Sequence, residues 1–286
     1  MHDRLFVALQ YLLPKRALTV LAGRFARARL GPLTQFAIRR FVAHYGVDMG
    51  EAAQPDIASY ASFNDFFTRA LRADARPMAK ADWICPVDGA ISQFGAIEAG
   101  QIIQAKGHAY SATALLGGDA ALATQFAQGY FATLYLSPRD YHRIHMPCAG
   151  ELQRMVHVPG ELFSVNPATA RGIPGLFARN ERVVCVFDSR HGPFVLVLVG
   201  ATIVGSMATV WHGQVNPPRP GVVRRWDYAG GEVQLKQGQE MGRFQLGSTV
   251  VLLLPRQAGQ MLRFGARWQA GQAVRLGEAM ASYSAD

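Results

Sequence analysis

The chain has 286 residues, of which 50% are hydrophobic and 17% are charged, and its formal net charge is +9. This balance excludes an intrinsically disordered chain and supplies enough apolar surface for one large domain or two small ones. Its three cysteines, Cys85, Cys148 and Cys185, form no CxxC pair, which argues against a disulfide framework or a zinc knuckle and favours a reducing compartment.

The first fifty residues are strongly basic, with eight Lys or Arg against two Asp, so they hold six of the nine net positive charges. Apolar residues recur at helical spacing between these charges, and Pro14 and Gly31-Pro32 separate the segments. We predict two or three short basic amphipathic helices. Such helices can lie in a membrane interface, form a lid on the protein's own core or bind nucleic acid. No signal peptide is expected, because Gln10 and Pro14 interrupt the early apolar run and no small-residue cleavage site follows.

The rest of the chain predicts an α+β fold in which the N-terminal amphipathic helices are followed by a β-rich, mainly antiparallel core. Further helices are predicted at residues 63–71, with Asn64 as the N-cap, and at residues 112–127. Residues 194–211 are an uncharged run of 18, but their β-branched side chains and glycines favour two buried strands over a transmembrane helix. The clearest other strands are 90–94, 131–136, 183–187 and 250–254.

Asp88, in the sequence CPVDGAI, has two interpretations. An Asp-Gly pair between apolar runs is a common hairpin turn, so the aspartate can be purely structural. Alternatively, it supplies a carboxylate to a functional site.

A polar cluster follows the strand at 131–136, in the sequence SPRDYHRIHMP. Asp140, His142 and His145 could bind zinc or iron, because imidazole and carboxylate suit these metals. They could equally act as general acids and bases, because imidazole titrates near neutral pH, and a structural role is the third alternative. A further metal ligand at matching spacing is missing, since His157, the nearest candidate, lies within an apolar run.

The sequence RFQLGSTVVLLL places Gly247-Ser248 at the start of a buried strand. The serine is not a familiar hydrolase nucleophile, because the chain has no GxSxG motif, and a small residue at a strand start is its ordinary interpretation. A serine hydroxyl can also attack the carbonyl before it, and a glycine there leaves the approach open. Loss of the serine α-proton from the resulting ester cleaves the chain and leaves a dehydroalanine, which hydrolyses to a pyruvoyl group and ammonia. This chemistry needs a base and a carboxylate that orients it, for which Asp88 and a histidine of residues 140–145 are candidates.

Seven motifs, in order, carry a resemblance that spans nearly the whole chain. They are FNDFFTRALR (63–72), PVDG (86–89), KGHAYS (106–111), YLSPRDYHRIHMP (135–147), PGELFSVNP (159–167), LFARNERV (176–183) and GQEMGRFQLGST (238–249). The sequence resembles the bacterial, membrane-associated phosphatidylserine decarboxylase proenzymes, and it departs from their pattern at no catalytic motif position.

The resemblance implies cleavage between Gly247 and Ser248 into a β chain, residues 1–247, and an α chain, residues 248–286, which stay associated. Ser248 would become the covalent pyruvoyl cofactor, and no metal is expected. The pyruvoyl ketone would condense with the amine of phosphatidylserine and accept the electron pair released with CO2, so that phosphatidylethanolamine is the product.

The resemblance also implies roles for individual residues. Asp88, His145 and Ser248 form the expected self-processing triad, and His142 takes part in the later decarboxylation. Reprotonation of the substrate carbon needs an acid, for which His142 is the first candidate and His145 the second. The candidate donors to the substrate phosphate and carboxylate, each with a structural role as its alternative, are Ser164 and Asn166.

An enzyme of this kind must meet an anionic lipid, so the resemblance favours the membrane interpretation of the basic helices over a lid or nucleic-acid binding. It implies a peripheral protein on the cytoplasmic face of the inner membrane. Residues 1–75 would be the helical membrane-associating segment, and residues 76–286 the β-rich catalytic domain. The expected partners are phosphatidylserine and the anionic membrane surface; a homodimer stays open, and no nucleic-acid partner is expected.

Two other functions stay open. A self-processing pyruvoyl decarboxylase of a soluble amino acid would not need the basic helices. A non-catalytic membrane-binding module similar to lipoyl or biotinyl carriers is suggested by VQLKQGQEMGRF, although Lys236 is poorly flanked for a modified lysine at a hairpin tip.

Overall fold

Three N-terminal helices precede a body of antiparallel sheets, as the sequence predicts. The computed structural model describes residues 2–105, 107–202, 206–217, 219, 221–245 and 248–285. The helices are α1 (His2–Leu12), α2 (Lys15–Arg27), α3 (Pro32–Tyr45), α4 (Phe63–Phe67), α5 (Ala112–Leu115), α6 (Ala120–Gln125), α7 (Pro167–Gly172) and α8 (Leu176–Arg179), with short 3-10 turns at Met49–Glu51 and Ile57–Ser59.

The N-terminal helices begin and end where the sequence indicates. Pro14 lies between α1 and α2, and Pro32 is the first residue of α3, where its fixed φ and missing N–H are tolerated. No single helix in the described part of the chain is long and apolar enough to cross a membrane. By length and composition alone, the stretches Arg4–Leu12 and Lys15–Arg27 pass that test as a pair bent by 85°.

Two helix predictions are wrong in detail. α4 is capped by Ser62, whose hydroxyl accepts from the backbone N–H of Asp65 at 3.1 Å, and not by Asn64. The helix predicted at 112–127 is instead two short helices, α5 and α6. Gly117 and Gly118 separate them with φ angles of +76° and +95°, which a right-handed helix cannot contain.

The strands are β1 (Trp83–Ile84), β2 (Gly89–Ala96), β3 (Gln101–Ala105), β4 (His108–Ser111), β5 (Tyr130–Leu136), β6 (Arg143–His145), β7 (Gly150–Val158), β8 (Arg182–Asp188), β9 (Phe194–Val199), β10 (Met207–Thr209), β11 (Gly213–Gln214), β12 (Arg224–Asp227), β13 (Gln234–Leu235), β14 (Glu240–Phe244), β15 (Ser248–Leu254), β16 (Gln260–Phe264), β17 (Ala273–Val274) and β18 (Ala279–Ala285). The large central sheet has the order β12-β7-β8-β9-β15-β5-β2-β17, and all its pairings are antiparallel. The uncharged run 194–211 contains β9 and β10, so the choice of strands over a membrane span is confirmed.

The middle of this sheet is the main core. Every residue of β9 and β15 is buried, which is the pattern of strands covered on both faces. A second, smaller cluster lies between α3 and α4 and consists of Ile38, Val47, Tyr60, Phe66 and Phe67. It fixes α4 beside the end of the central sheet at which the site residues lie.

Candidate active site

Three segments that carry predicted site residues meet at one end of the central sheet. β2 begins directly after Asp88, β5 ends at Leu136, and β15 begins at Ser248. Ser248 pairs with Leu136 across the β15–β5 ladder, and Ala90 pairs with Tyr135 across the β5–β2 ladder. Antiparallel pairing therefore brings Asp88, the polar segment after β5 and Ser248 to the same edge.

Asp88-Gly89 does not form the hairpin turn that is one interpretation of the sequence. The strand before it, β1, pairs with β18 and not with β2. Gly89 is needed for close packing, because a Cβ there would lie 2.4 Å from the carbonyl oxygen of Tyr135. The glycine thus allows β2 and β5 to approach each other immediately beside the carboxylate.

Ser248 is fully buried, and its hydroxyl has no hydrogen-bond partner among the described residues. Leu246 and Gly247 lie outside the described residues. Gly247 is the residue before the predicted cleavage site. The two residues before Leu246 are held by backbone hydrogen bonds to other segments. Phe244 donates its N–H to the carbonyl of His142, and Gln245 donates to that of Ser206, each at 3.0 Å. A buried, unpaired hydroxyl costs about 1–3 kcal/mol. Ser248 shares this state with Thr249, and it differs from Thr249 in that it directly follows Gly247.

His145 is held in one tautomer. Its Nδ1 lies 2.8 Å from the carbonyl oxygen of Gly238, which can only accept, so Nδ1 carries the proton. The unprotonated Nε2 accepts from the hydroxyl of Tyr141 at 3.1 Å. Burial lowers the pKa of His145, and the ring is therefore neutral at neutral pH. Its backbone N–H donates to Pro86 at 2.9 Å, which ties it to the segment that carries Asp88.

His142 is fully buried and is also held through Nδ1, which lies 2.7 Å from the carbonyl oxygen of Asp140. The ring of Phe67 covers it, with 4.1 Å between the ring centroids. Burial lowers the pKa of His142 to about 3, so the imidazole is neutral over the physiological range. Its Nε2 has no partner among the described residues and presents a free lone pair.

Asp88 is bound by Arg76, and no histidine in the described part of the chain forms a hydrogen bond with it. The Arg76 guanidinium donates to Oδ1 at 3.0 Å and to Oδ2 at 2.5 Å, and the backbone N–H of Leu276 donates to Oδ1 at 2.9 Å. Arg76 also donates to Glu51 at 2.6 Å. The structure thus gathers Asp88, His145 and Ser248 in one region without linking them as a hydrogen-bonded triad, and the triad stays a prediction.

A cavity of about 880 Å³ opens beside Asp88, whereas His142, His145 and Ser248 are not among its described lining residues. Asp88, Asp140 and Tyr141 line it, together with the arginines Arg69, Arg76, Arg139, Arg171 and Arg275. The lining combines carboxylates and guanidinium groups with apolar side chains, as expected for a ligand that has both charged and apolar parts.

Comparison with known proteins decides the family. The model of the phosphatidylserine decarboxylase family matches residues 63–282. This chain belongs to the phosphatidylserine decarboxylase family. A second model, described as PSD, matches residues 5–46.

Relatives named phosphatidylserine decarboxylase proenzyme are similar along their full length. The protein from Verminephrobacter eiseniae is 72% identical over 100% of both chains. The one from Delftia acidovorans is 71% identical over 98% of both chains, and the one from Azoarcus sp. is 72% identical over 98% of this chain and 96% of the relative. The resemblance drawn from the seven motifs is therefore confirmed.

In this member of the phosphatidylserine decarboxylase family, the carboxylate of Asp140 orders a turn. It accepts from the backbone N–H and the hydroxyl of Ser137 at 2.7 and 2.8 Å, and burial raises its pKa. His157 lies in β7 and its Nε2 is 2.9 Å from a carboxylate oxygen of Glu181. In the described sheets, β7 does not pair with β5 or β6, the strands on either side of Asp140. Within the described ranges, no three His, Cys, Asp or Glu side chains are arranged to hold a metal ion.

The predicted substrate donors Ser164 and Asn166 do not line the cavity, although their neighbours Val165 and Pro167 do. The carboxamide oxygen of Asn166 caps α7 by accepting from the N–H groups of Ala168 and Thr169, each at 3.0 Å. Their contact with substrate stays a prediction, and capping accounts for the asparagine without it.

Sequence reasoning missed Arg69, Arg76 and Tyr141. Tyr141 and Arg69 lie inside family motifs, so their positions could have been selected from those motifs. No local signal connects Arg76 with Asp88, because the contact depends on how the segment before β1 folds back over the sheet edge.

Proposed function

We propose that this phosphatidylserine decarboxylase family member cleaves itself between Gly247 and Ser248 and then decarboxylates phosphatidylserine to phosphatidylethanolamine and CO2. Ser248 carries the proposal. It has a buried hydroxyl without a partner, and strand pairing brings it to the sheet edge where a carboxylate and two neutral histidines lie. The names of the relatives, which include the word proenzyme, support a precursor that is processed.

Self-processing requires a base for the Ser248 proton. His145 is the proposed base, because its Nε2 is unprotonated and already accepts from a hydroxyl, that of Tyr141. The carbonyl of Gly238 already orients the ring through Nδ1. The negative charge of Asp88 works against the effect of burial on the pKa of His145, so it favours the imidazolium that forms when the ring takes a proton.

Ser248 fits the precursor of a pyruvoyl group, because no hydrogen bond competes for its hydroxyl among the described residues. A pyruvoyl ketone at this position supplies an electron-accepting carbonyl for the bond that breaks as CO2 leaves. His142 is the proposed proton carrier for this step. Since its ring is neutral, Nε2 first accepts the proton that the substrate ammonium loses and then returns it to the former α-carbon.

We place the protein peripherally on the cytoplasmic face of the inner membrane, and the outer face of α1 and α2 supports the lipid contact that this position requires. Leu9, Leu12, Leu21 and Phe25 are exposed, whereas polar Gln10 faces inward and its side chain accepts from the backbone N–H of Ser164 at 3.0 Å. On a helix that faces water, the polar side chains are exposed and the apolar side chains are buried, which is the opposite arrangement. Exposed arginines border the apolar face, which is the composition of a helix that lies in an anionic lipid interface.

Intact-mass measurement of the purified protein tests self-processing. We expect two chains, with the small chain lighter by one ammonia than residues 248–286 themselves, and release of CO2 from phosphatidylserine but not from L-serine. Ser248→Ala should give one full-length chain without activity, because the attacking oxygen is gone.

Thr249→Val is the matched control, since Thr249 is equally buried and its hydroxyl also lacks a partner among the described residues. It should still be cleaved. Cleavage of Ser248→Ala, or a single unmodified chain in an active wild-type preparation, would contradict the proposal. Activity on L-serine alone would favour the soluble amino acid decarboxylase.

A further inference from the structure

Arg69 is a buried cation without a carboxylate partner. It follows α4, lines the cavity and is 5% exposed. Its Nη2 reaches the carbonyl oxygen of Arg139 at a long 3.4 Å, and its Nε is buried without a hydrogen-bond partner among the described residues. The guanidinium lies 5.3 Å from the ring centroid of Phe66. No carboxylate in the described ranges forms an ion pair with it.

Other arginines with low exposure are satisfied differently. Arg76 has Glu51 and Asp88, Arg143 has Glu240, and Arg182 donates to three backbone carbonyls. A guanidinium taken out of water is costly unless an anion or several acceptors compensate it. Against the larger effect of burial, which lowers the pKa of Arg69, Asp88 and Glu51 raise it through Coulomb attraction, but neither forms a direct ion pair with it in the described ranges. The cavity wall at Arg69 is therefore suited to an anion that makes direct contact with the guanidinium.

The charge of Arg69 is felt in the active site. It contributes to the lowered pKa of His142, after the larger effect of burial. Burial also lowers the pKa of Arg69, but an arginine stays protonated in proteins. Arg69 thus places a permanent positive charge in the cavity wall, close enough to the proposed proton carrier to act on its pKa.

We propose that Arg69 binds the phosphodiester of the lipid headgroup and positions the substrate for decarboxylation. This inference rests on the proposed function and names a recognition residue for it. The planar guanidinium fork matches two phosphate oxygens. The phosphodiester keeps its charge throughout the reaction, whereas the carboxylate loses its charge as CO2 leaves. An ion pair with the carboxylate would therefore stabilise the substrate more than the transition state and slow the reaction.

Binding to the uncleaved Ser248→Ala protein tests the inference without any catalysis. The probes are glycerophosphoserine and glycerophosphoethanolamine, measured by calorimetry, because the second keeps the phosphodiester and lacks the carboxylate. Adding Arg69→Gln should weaken both probes by about tenfold to a hundredfold, the loss expected for hydrogen bonds to a charged group. Arg72→Gln is the matched control, since Arg72 is exposed, contacts Asp74 and does not line the cavity.

Each other outcome overturns the inference. Loss of glycerophosphoserine binding alone would assign Arg69 to the carboxylate. Equal affinities with and without Arg69, or no binding of glycerophosphoethanolamine to the Ser248→Ala protein, would leave the arginine a structural role. If Arg69→Gln does not fold, as judged by thermal melting, Arg69→Lys replaces it, and this variant should weaken both probes less because it keeps the charge and loses only the fork.

A second measurement uses the cleaved protein. Arg69→Gln should still be cleaved, as intact mass shows, and should raise KM for phosphatidylserine more than it lowers kcat. A fall in kcat with KM unchanged would contradict a binding role. A wild-type protein that does not act on phosphatidylserine at all would instead refute the proposed function, whereas the calorimetric result would stand on its own.

Discussion

Removing the apolar face of the N-terminal helices should release the protein from membranes. Leu12, Leu21 and Phe25 are 81%, 61% and 51% exposed, so they contribute little to the folded core. Full burial of such a side chain is worth about 2 kcal/mol. Scaled by the exposed fractions, the three contribute about 4 kcal/mol, or about a thousandfold in partition, and half of that burial would still give about thirtyfold.

The assay is flotation with liposomes rich in phosphatidylserine. The triple variant Leu12→Ser, Leu21→Ser, Phe25→Ser should remain in the bottom fraction, while still being cleaved. Its residual binding should fall further as salt is raised, because salt screens the arginines and not the apolar contacts. The control variant Val222→Ser, Val223→Ser, Met261→Ser removes apolar side chains outside the helices that are 60%, 52% and 47% exposed, and it should float like the wild type. Equal flotation of the two variants would refute the assignment of the membrane face.

Three further outcomes follow from the site. His145→Ala should block cleavage, whereas His142→Ala should be cleaved, at least partly, and turn over poorly; intact mass and CO2 release check this, and equal maturation of both would contradict the choice of base. Arg76→Met in the Ser248→Ala protein should lower the free energy of unfolding in urea by about 3–5 kcal/mol, because it leaves Asp88 buried and unpaired; a loss below about 1 kcal/mol would show that water replaces the guanidinium. Burial holds the pKa of His142 at about 3 against a usual 6.5, so below pH 6.5 the unfolded chain binds a proton that the folded chain does not. Stability should therefore fall by about 1.4 kcal/mol per pH unit between pH 6 and 4, and His142→Phe should remove this part of the slope.

A deletion of residues 1–45, which contain α1, α2 and α3, would be a poor test of membrane binding. Ile38 of α3 belongs to the same buried cluster as Phe66 and Phe67, and Phe67 covers His142. Removal of α3 would expose this cluster and disturb the site. Substitutions on the exposed faces of α1 and α2 separate lipid contact from folding.

Much of the fold could be predicted because local signals specify backbone geometry. The β-branched run 194–211 indicates strands, and Pro14 and Pro32 mark helix boundaries with fixed φ angles. The errors arose where two local signals compete. Asn64 and Ser62 are both acceptable caps, and the apolar spacing of 112–127 concealed the interruption by Gly117-Gly118.

The sequence by itself determined the family, the order of the elements and the residue types that self-processing needs at Asp88, His145 and Ser248, since these depend on motifs and local periodicity. Only the tertiary structure decided their partners. Arg76 holds Asp88, Tyr141 and Gly238 hold His145, and Ser248 has no described partner. The reason is physical, because side-chain contacts between distant segments depend on strand register and on how the helices pack, and no local pattern encodes either.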